Sequence, residues 1–233
     1  NEKTKIYGLV GNPVSESKGY LIHNTSFREM GVNAVYVNFP VDNINEFFSE
    51  FKGFFSGLSV TMPHKIAVMK YLDEIDENAK KINAVNTVVV KGGRLIGYNT
   101  DYSGAIKAIK KKVSVKGKNV FMIGCGGVAR AVAVGIFNEG GKLIVADVTK
   151  SKAKSFAREF NCEFIAIEEI KKLDCDLLIN ATPVGMFPDV DKMPVDEGFL
   201  KKGMAVFDVV YNPVETKLLK MAKKKGCKII SGA

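Results

Sequence analysis

The stretch Val120-Phe-Met-Ile-Gly-Cys-Gly-Gly-Val-Ala-Arg130 decides the fold, because a short apolar run passes through a glycine-rich turn into helix-forming residues. This order predicts a strand, a tight turn and a helix. Gly124 allows the reversal, and Gly126 and Gly127 let the backbone approach a pyrophosphate, which free N–H groups of the helix can bind. The spacing is Gly-x-Gly-Gly-x-Ala rather than the full G-x-G-x-x-G, and a turn that is merely packed could use the same glycines.

A second apolar run follows and strengthens this interpretation. Leu143–Ala146 ends in the acid Asp147, which lies 23 residues after Gly124. Dinucleotide-binding units place the acid that holds the ribose hydroxyls about 20 residues after the glycine turn. A solvated turn acid is the alternative. The order of strand, turn, helix, strand and acid favours a dinucleotide cofactor.

Size and composition are those of a water-soluble globular protein. The 233 residues are 46% hydrophobic and 25% charged, enough for one large domain or two ordinary ones. We see neither an apolar run of about 18–20 residues nor a secretory signal, so we expect no membrane partner. The chain begins at Asn1 rather than Met, as expected of a processed chain or a part of a longer one.

Cysteine and histidine usage argues against a zinc cluster. The chain has only two histidines, and none of its cysteines forms a C-x-x-C pair; the cysteines are Cys125, Cys162, Cys175 and Cys227. Isolated cysteines in an α/β chain indicate reduced thiols and a cytoplasmic location.

The net charge of +9 includes the basic runs Lys110–Lys112 and Lys223–Lys225. Such runs can form a nucleic-acid surface, or they can be solvated helix ends where cations offset the helix dipole. No aromatic residues interleave with the lysines, which favours the helix ends and no nucleic-acid partner. A positive field would still attract acidic substrates and phosphorylated cofactors. The sequence is compatible with either a monomer or a homodimer.

Strand-like and helix-like segments alternate along the chain, which predicts an α/β fold of two lobes with a cleft between them. A β-hairpin is expected around Gly92-Gly93, and a helix over His64–Leu72. We place a substrate-binding catalytic domain at 1–101 and a Rossmann-type dinucleotide-binding domain at 102–211. We expect that the segment 212–233 can fold back onto the first domain.

Four polar segments of the first domain each come after a strand-like run: Gly11–Asn24, Ser59–Lys65, Ala84–Thr87 and Gly97–Asp101. Ligands of open α/β sheets collect beyond the carboxyl ends of strands. These segments offer hydroxyls, amides, one lysine and one acid. Such a set suits a small polyhydroxylated anion and contains no metal cluster.

The order of these four segments, the glycine loop, Asn180-Ala-Thr and Tyr211-Asn-Pro is the order found in shikimate dehydrogenases. The chain resembles that family from Tyr7 to about Gly232. The resemblance implies reversible reduction of 3-dehydroshikimate by NADP or NAD in aromatic amino-acid precursor biosynthesis. It implies that Lys65 and Asp101 are catalytic. His64 matches no catalytic position of the family, and we interpret it as a packing or surface residue.

The resemblance also implies the binding residues. Substrate contacts are expected from Ser17, Gly19, Thr61, Asn86, Asp101 and Tyr211. Cofactor contacts are expected from Gly124, Cys125, Gly126, Gly127, Val128, Asp147, Val148, Thr149, Lys150, Thr182, Val209 and Gly232.

The first departure from the family pattern concerns substrate binding. The family usually has Ser-His-Ser-x-Ser-Pro where this chain has Ser15-Glu-Ser-Lys-Gly-Tyr20, so Gly19 replaces one of two serines that hold the substrate carboxylate. Ser17 must hold it alone or with help from Lys18 or backbone N–H groups. The lost side chain leaves room for a bulkier cyclic acid such as quinate.

Two further departures concern the cofactor and the end of the chain. NADP-using members typically have Asn-Arg-Thr where this chain has Asp147-Val-Thr149, which favours NAD, although Lys150 and Lys152 could form a phosphate site. Related chains continue past Gly232 with a helix that carries a substrate-binding glutamine. A quinate/shikimate dehydrogenase and a non-catalytic dinucleotide-binding protein on the same scaffold therefore stay open as alternatives.

Overall fold

The computed structural model describes residues 1–232, with the backbone alone at positions 171 and 172. Contacts between backbone positions divide the chain into two units, Asn1–Thr100 and Asp101–Ala233. Each unit is built on its own six-stranded sheet. Among the described residues, no helix combines the length and the apolar character needed to cross a bilayer.

The first unit contains six strands and three α-helices. In chain order they are β1 (Lys5–Gly11), α1 (Gly19–Glu29), β2 (Ala34–Pro40), α2 (Ile44–Phe51), β3 (Gly57–Val60), β4 (Glu74–Ile75), α3 (Glu77–Ile82), β5 (Thr87–Lys91) and β6 (Arg94–Tyr98). The sheet order is β2-β1-β3-β5-β6-β4. Strand β1 is parallel to β2 and β3, whereas β5 is antiparallel to β3 and forms with β6 the hairpin that Gly92-Gly93 predicts.

The register of this sheet brings the motif-bearing segments to one edge. Val10 of β1 is opposite Val60 of β3, so the segments that begin at Gly11 and Thr61 leave the sheet side by side. A Cβ atom on Gly11 would lie 2.3 Å from Cγ2 of Thr61, so only glycine permits this approach. Because β5 runs antiparallel to β3, the segment before Thr87 arrives at the same edge.

The described residues of the second unit form four α-helices and six parallel strands. They are α4 (Asp101–Lys110), β7 (Asn119–Ile123), α5 (Gly127–Asn138), β8 (Lys142–Ala146), α6 (Lys150–Phe160), β9 (Glu163–Phe164), β10 (Leu177–Asn180), β11 (Ala205–Asp208), α7 (Lys217–Lys224) and β12 (Lys228–Ser231). The order β9-β8-β7-β10-β11-β12 is the 3-2-1-4-5-6 order of a Rossmann sheet. The predicted α/β fold class and Rossmann-type second domain are confirmed.

Helix α5 is the best-buried helix of this unit. Every residue from Ala129 to Ile136 is buried, and most are small, so the helix can pack closely on the sheet. Arg130 within it is 6% exposed, pairs with Glu159, and lies 5.0 Å from the ring centre of Phe160 on α6. This packing fixes the helix N-terminus that follows the glycine turn.

One expectation from the sequence stays a prediction, and another is wrong. Residues 212–232 contribute β12 to the second unit, where this strand pairs in parallel with β11 and Ile230 is 4% exposed in the core. That the segment also folds back onto the first domain stays a prediction. The apolar pair Ile229-Ile230 is better buried by extending the Rossmann sheet than by leaving it. Residues His64–Leu72 form a turn and then a 3₁₀-helix over Ala67–Tyr71, because the Lys65 carbonyl accepts the N–H of Val85 at 2.8 Å instead of an α-helical partner.

Candidate active site

The substrate-binding residues predicted in the first unit lie in segments that backbone hydrogen bonds tie together. The Asn12 N–H donates to Met62 O at 3.0 Å, which joins the segment after β1 to the segment after β3. The Val60 N–H donates to Asn86 O at 2.8 Å, and the Val85 N–H donates to Lys65 O at 2.8 Å. These bonds place Thr61, Lys65 and Asn86 at one edge of the sheet, and the side chains of all three are partly buried.

Asn86 also organises the end of the first unit. Its Oδ1 accepts the Thr100 N–H at 3.0 Å, and its Nδ2 donates to Thr100 Oγ1 at 3.0 Å. Asn99 donates to the Ala84 carbonyl at 2.9 Å. The residue after Thr100 is Asp101, which begins α4 and places a carboxylate in its first turn, where the helix dipole favours a negative charge.

Ser17 and Gly19 lie beside a tyrosine that the sequence did not single out. The Gly19 N–H points to Ser17 Oγ at 3.3 Å, and a Cβ atom on Gly19 would lie 3.4 Å from that oxygen and 3.7 Å from the Tyr36 hydroxyl. Burial raises the pKa of Tyr36, and a hydrogen bond with Ser59 only partly offsets this, so Tyr36 stays a neutral hydroxyl. Tyr36 is therefore a further polar group near the proposed carboxylate site.

The Asn38 side chain holds the backbone of the segment that contains Ser17. Its Nδ2 donates to the carbonyls of Val14 and Ser17, at 3.1 and 3.2 Å. Asn38 lies on β2 opposite Leu9 of β1, so it anchors the segment to a rigid strand. A single asparagine in a strand gives no sequence signal for this contact, which spans 21 residues.

In the second unit, the glycine turn has the form that a dinucleotide needs. Gly124 has φ +103°, and a Cβ there would lie 2.7 Å from the Ala181 carbonyl, so only glycine fits between the ends of β7 and β10. A Cβ on Gly126 would meet nothing within 4 Å, so this side of the turn is open at the start of α5. Because β7 and β10 are neighbours in the strand order, the opening lies at the switch point of the sheet.

The thiol of Cys125 in this turn is not a nucleophile. Burial raises its pKa to about 12, and the charge of Asp147 adds to the effect. The thiol is therefore protonated at neutral pH.

Asp147 has a structural role in addition to the one predicted. Its Oδ2 accepts the Cys125 N–H at 3.0 Å, and its Oδ1 accepts the Thr149 N–H at 2.9 Å. Its side chain is 9% exposed, with the Lys152 ammonium 3.8 Å away. The carboxylate therefore ties the glycine turn to the end of β8. A ribose hydroxyl would have to donate to the lone pairs of Asp147 that these two hydrogen bonds leave free. Val148, by contrast, is 89% exposed.

A network of buried hydrogen bonds around Asp208 adjoins the predicted cofactor residues Thr182 and Val209. Asp208 is fully buried and accepts hydrogen bonds from Asn180 Nδ2 at 2.9 Å, from the Val210 N–H at 3.0 Å and from Thr216 Oγ1 at 2.6 Å. Burial raises the pKa of Asp208, and these three bonds counter that effect.

The same network reaches the segment after β10. The N–H and hydroxyl of Thr182 both donate to Asn180 Oδ1, at 3.1 and 2.6 Å. The network therefore fixes the segments after β10 and β11, and through Thr216 it fixes the first turn of α7. Tyr211 follows these segments and is 57% exposed. Gly232 lies close to the same place, since a Cβ on it would be 2.6 Å from the Val209 carbonyl.

We expect Thr216→Val to lower the free energy of unfolding by about 1–3 kcal/mol, because it removes the hydroxyl that donates to buried Asp208 and accepts the Leu219 N–H at the start of α7. Urea denaturation followed by circular dichroism measures the change, with Thr25→Val on the exposed surface of α1 as the control. Equal midpoints for the two variants would mean that Asp208 does not depend on this bond.

The described side chains include no group of three or more His, Cys, Asp or Glu that could hold a metal ion.

Comparison with known proteins identifies relatives along the whole chain. Residues 9–88 match the model of the shikimate dehydrogenase substrate binding domain. The chain is 43% identical to the shikimate dehydrogenase (NADP(+)) of Methanocaldococcus jannaschii, over 100% of this chain and 87% of that protein.

Solved structures give the same result for the fold. A shikimate dehydrogenase in complex with NADP⁺ is 42% identical with a TM-score of 0.88, covering 100% of this chain and 85% of that one. The quinate dehydrogenase of Corynebacterium glutamicum in complex with NAD is 32% identical with a TM-score of 0.88, covering 98% of this chain and 88% of that one.

Proposed function

The chain belongs to the shikimate dehydrogenase family, and we propose that it catalyses the reversible reduction of 3-dehydroshikimate to shikimate with NADP or NAD. The observation that carries the proposal is the 43% identity, along the full chain, to the shikimate dehydrogenase (NADP(+)) of Methanocaldococcus jannaschii. The residue types required by the chemistry also occupy the ends of strands in both sheets.

We assign the proton transfer to Lys65. Reduction of a ketone delivers a hydride to carbon and a proton to oxygen, and the Lys65 ammonium supplies the proton in one direction and accepts it in the other. Asp101 accepts a hydrogen bond from a substrate hydroxyl and orients it. We assign substrate binding to Ser17, Thr61, Asn86 and Tyr211, whose hydroxyls and amide suit a cyclic polyhydroxylated acid.

The second unit fits a nicotinamide dinucleotide. The open side of Gly126 and the N-terminus of α5 suit a pyrophosphate, and the segment from Asp147 to Lys150 suits the adenosine ribose. When bound, the cofactor supplies or accepts the hydride. The remaining assigned contacts are Gly124, Cys125, Gly127, Val128, Thr182, Val209 and Gly232. We propose that Asp147 gives NAD the advantage over NADP.

Quinate is the second candidate substrate, because Gly19 leaves a space that a serine would fill. Quinate carries an additional hydroxyl on the carbon that bears the carboxylate, and the space beside Ser17 and Tyr36 suits it. We therefore propose shikimate as the principal substrate and quinate as a slower one.

The decisive experiment measures formation of the reduced nicotinamide with NAD or NADP and with shikimate, quinate or no acid. Activity with shikimate in excess of quinate supports the proposal. Activity with quinate alone would make the protein a quinate dehydrogenase. Cofactor binding without turnover of either acid would make it a non-catalytic dinucleotide-binding protein.

The cysteines support a reducing, cytoplasmic compartment. All four are free thiols, and burial raises the pKa of Cys125, Cys162 and Cys175 to about 12, 11 and 12. Such thiols need no oxidising environment. We propose a monomer or homodimer in the cytoplasm, without a nucleic-acid or membrane partner, and light scattering in solution gives the stoichiometry.

We expect Gly19→Ser to lower KM for shikimate by about 10–100-fold, since a hydrogen bond to a charged group is worth about 1.5–3 kcal/mol. The Cβ fits in ordinary contact distance of Ser17 and Tyr36, so the added hydroxyl can join theirs. Gly19→Ala is the matched control, because it adds the Cβ without the hydroxyl. Equal KM values for the Ser and Ala variants would mean that another group already holds the carboxylate.

A further inference from the structure

His64 lies between Pro63 and Lys65 and is almost completely buried, with 4% of its surface exposed. Its Nε2 lies 2.7 Å from the carbonyl oxygen of Val41, which is 23 residues away in the sequence. A carbonyl oxygen can only accept a hydrogen bond, so Nε2 carries the proton and donates it. The imidazole therefore joins the turn after β3 to the chain just beyond β2.

The Val41 contact completes a closed set of hydrogen bonds among three segments. The Val41 N–H donates to the Gly11 carbonyl at 3.0 Å, just before the segment that carries Ser17. The neighbouring Asn12 N–H donates to Met62 O at 3.0 Å, which returns to the turn that contains His64. Of these links, the one from His64 is made by a side chain and the other two by backbone.

The backbone of His64 is held at both sides as well. Its N–H donates to the Thr61 carbonyl at 3.0 Å, and its own carbonyl accepts the Val68 N–H at 2.9 Å. The backbone of the Thr61–Lys65 turn therefore cannot shift relative to Val41 without stretching the His64 bond.

We propose that His64 is a positioning residue for Lys65, acting through its Nε2–H bond to Val41; this inference rests on the proposed function, which makes Lys65 the proton donor. A displacement of about 1 Å at a reacting group can cost about 100-fold in rate. If His64 only filled space, any side chain of similar volume could replace it. If it positions Lys65, its replacement must carry a hydrogen-bond donor at the place of Nε2.

His64→Gln and His64→Asn separate these two roles. The glutamine amide nitrogen reaches the place of Nε2, whereas the asparagine amide is shorter and cannot reach Val41. We expect kcat with shikimate to fall about tenfold in the Asn variant and to stay within about threefold of wild type in the Gln variant. KM for the cofactor should be the same in both, because its site lies on other segments.

Equal kcat values in the Gln and Asn variants, at equal folded fractions, would overturn the inference. If the Asn variant does not fold, His64→Phe takes its place, since it keeps a ring and removes the donor. A wild-type protein that oxidises neither shikimate nor quinate would overturn the proposed function first and this inference with it.

A second measurement tests the contact independently of activity. The chain has only two histidines, so ¹H–¹⁵N spectra of histidine-labelled protein contain two ring systems. We expect His64 to show an Nε2–H proton protected from solvent exchange, and exposed His23, which stacks on Tyr36 at 4.4 Å, to show none. An Nδ1–H tautomer for His64 would contradict the bond.

Discussion

Lys65→Ala is expected to lower kcat by about 10²–10⁴-fold, which is the usual contribution of a group that transfers a proton in the transition state. The side chain is partly buried, and its backbone is fixed through the Val85 N–H and the His64 turn. Those backbone bonds do not depend on the side chain, so we expect the variant to fold and to bind the cofactor as wild type does. Steady-state kinetics at saturating shikimate measure the loss.

Two further variants identify what the enzyme requires of Lys65. Lys65→Arg keeps the positive charge, but a guanidinium does not release its proton near neutral pH, so we expect it to be as impaired as the alanine variant. Lys70→Ala, on the 3₁₀-helix that follows, removes an exposed lysine and should keep wild-type turnover. Wild-type kcat in Lys65→Ala would remove Lys65 from the mechanism.

The parts of the fold that the sequence predicts are those with strong local signals. The Val120–Arg130 stretch combines a β-rich run, glycines and small helix formers, and the structure places β7, the turn and α5 there. The hairpin at Gly92-Gly93 is confirmed for the same reason, since both glycines have positive φ values, +57° and +75°.

The parts that the sequence does not predict depend on partners distant in the chain. Strand β12 has four residues and forms because β11 offers a parallel edge. The turn at Lys65 replaces an α-helix because Val85 takes its carbonyl, 20 residues later. Neither partner can be read from the local pattern.

The same reason explains which residues that hold the motif segments in place are missed by the sequence. Asn38, His64 and Thr216 act on groups 21, 23 and 8 residues away, and their own neighbours in the sequence give no indication of those contacts. Motif residues such as Ser17 and Lys65 can be carried over from a family, because a motif records the residue types that a ligand requires. The residues that hold the motif segments in place follow from packing, and packing becomes visible only in the structure.

The cofactor prediction has the next largest effect. We expect the unmodified protein to have a higher kcat/KM with NAD than with NADP, because a 2′-phosphate beside the Asp147 carboxylate would face like charge. Lys152, with its ammonium 3.8 Å from Asp147, reduces this repulsion without supplying a planar phosphate-binding group. Initial rates with both cofactors at saturating shikimate give the ratio.

We expect Asp147→Asn combined with Val148→Arg to raise the NADP to NAD ratio of kcat/KM by about 10–100-fold, because a guanidinium–phosphate pair is worth about 1.5–3 kcal/mol. Val148 is 89% exposed, so an arginine fits there without repacking. The Asp147→Asn change also removes a hydrogen bond, because an amide has only one oxygen for the two N–H groups of Cys125 and Thr149. Val148→Arg alone should therefore gain part of the shift with full stability, and Val148→Gln controls for length without charge. If the unmodified protein is strongly NADP-selective, the Asp147 prediction is wrong, and Lys150→Ala and Lys152→Ala should then abolish that selectivity.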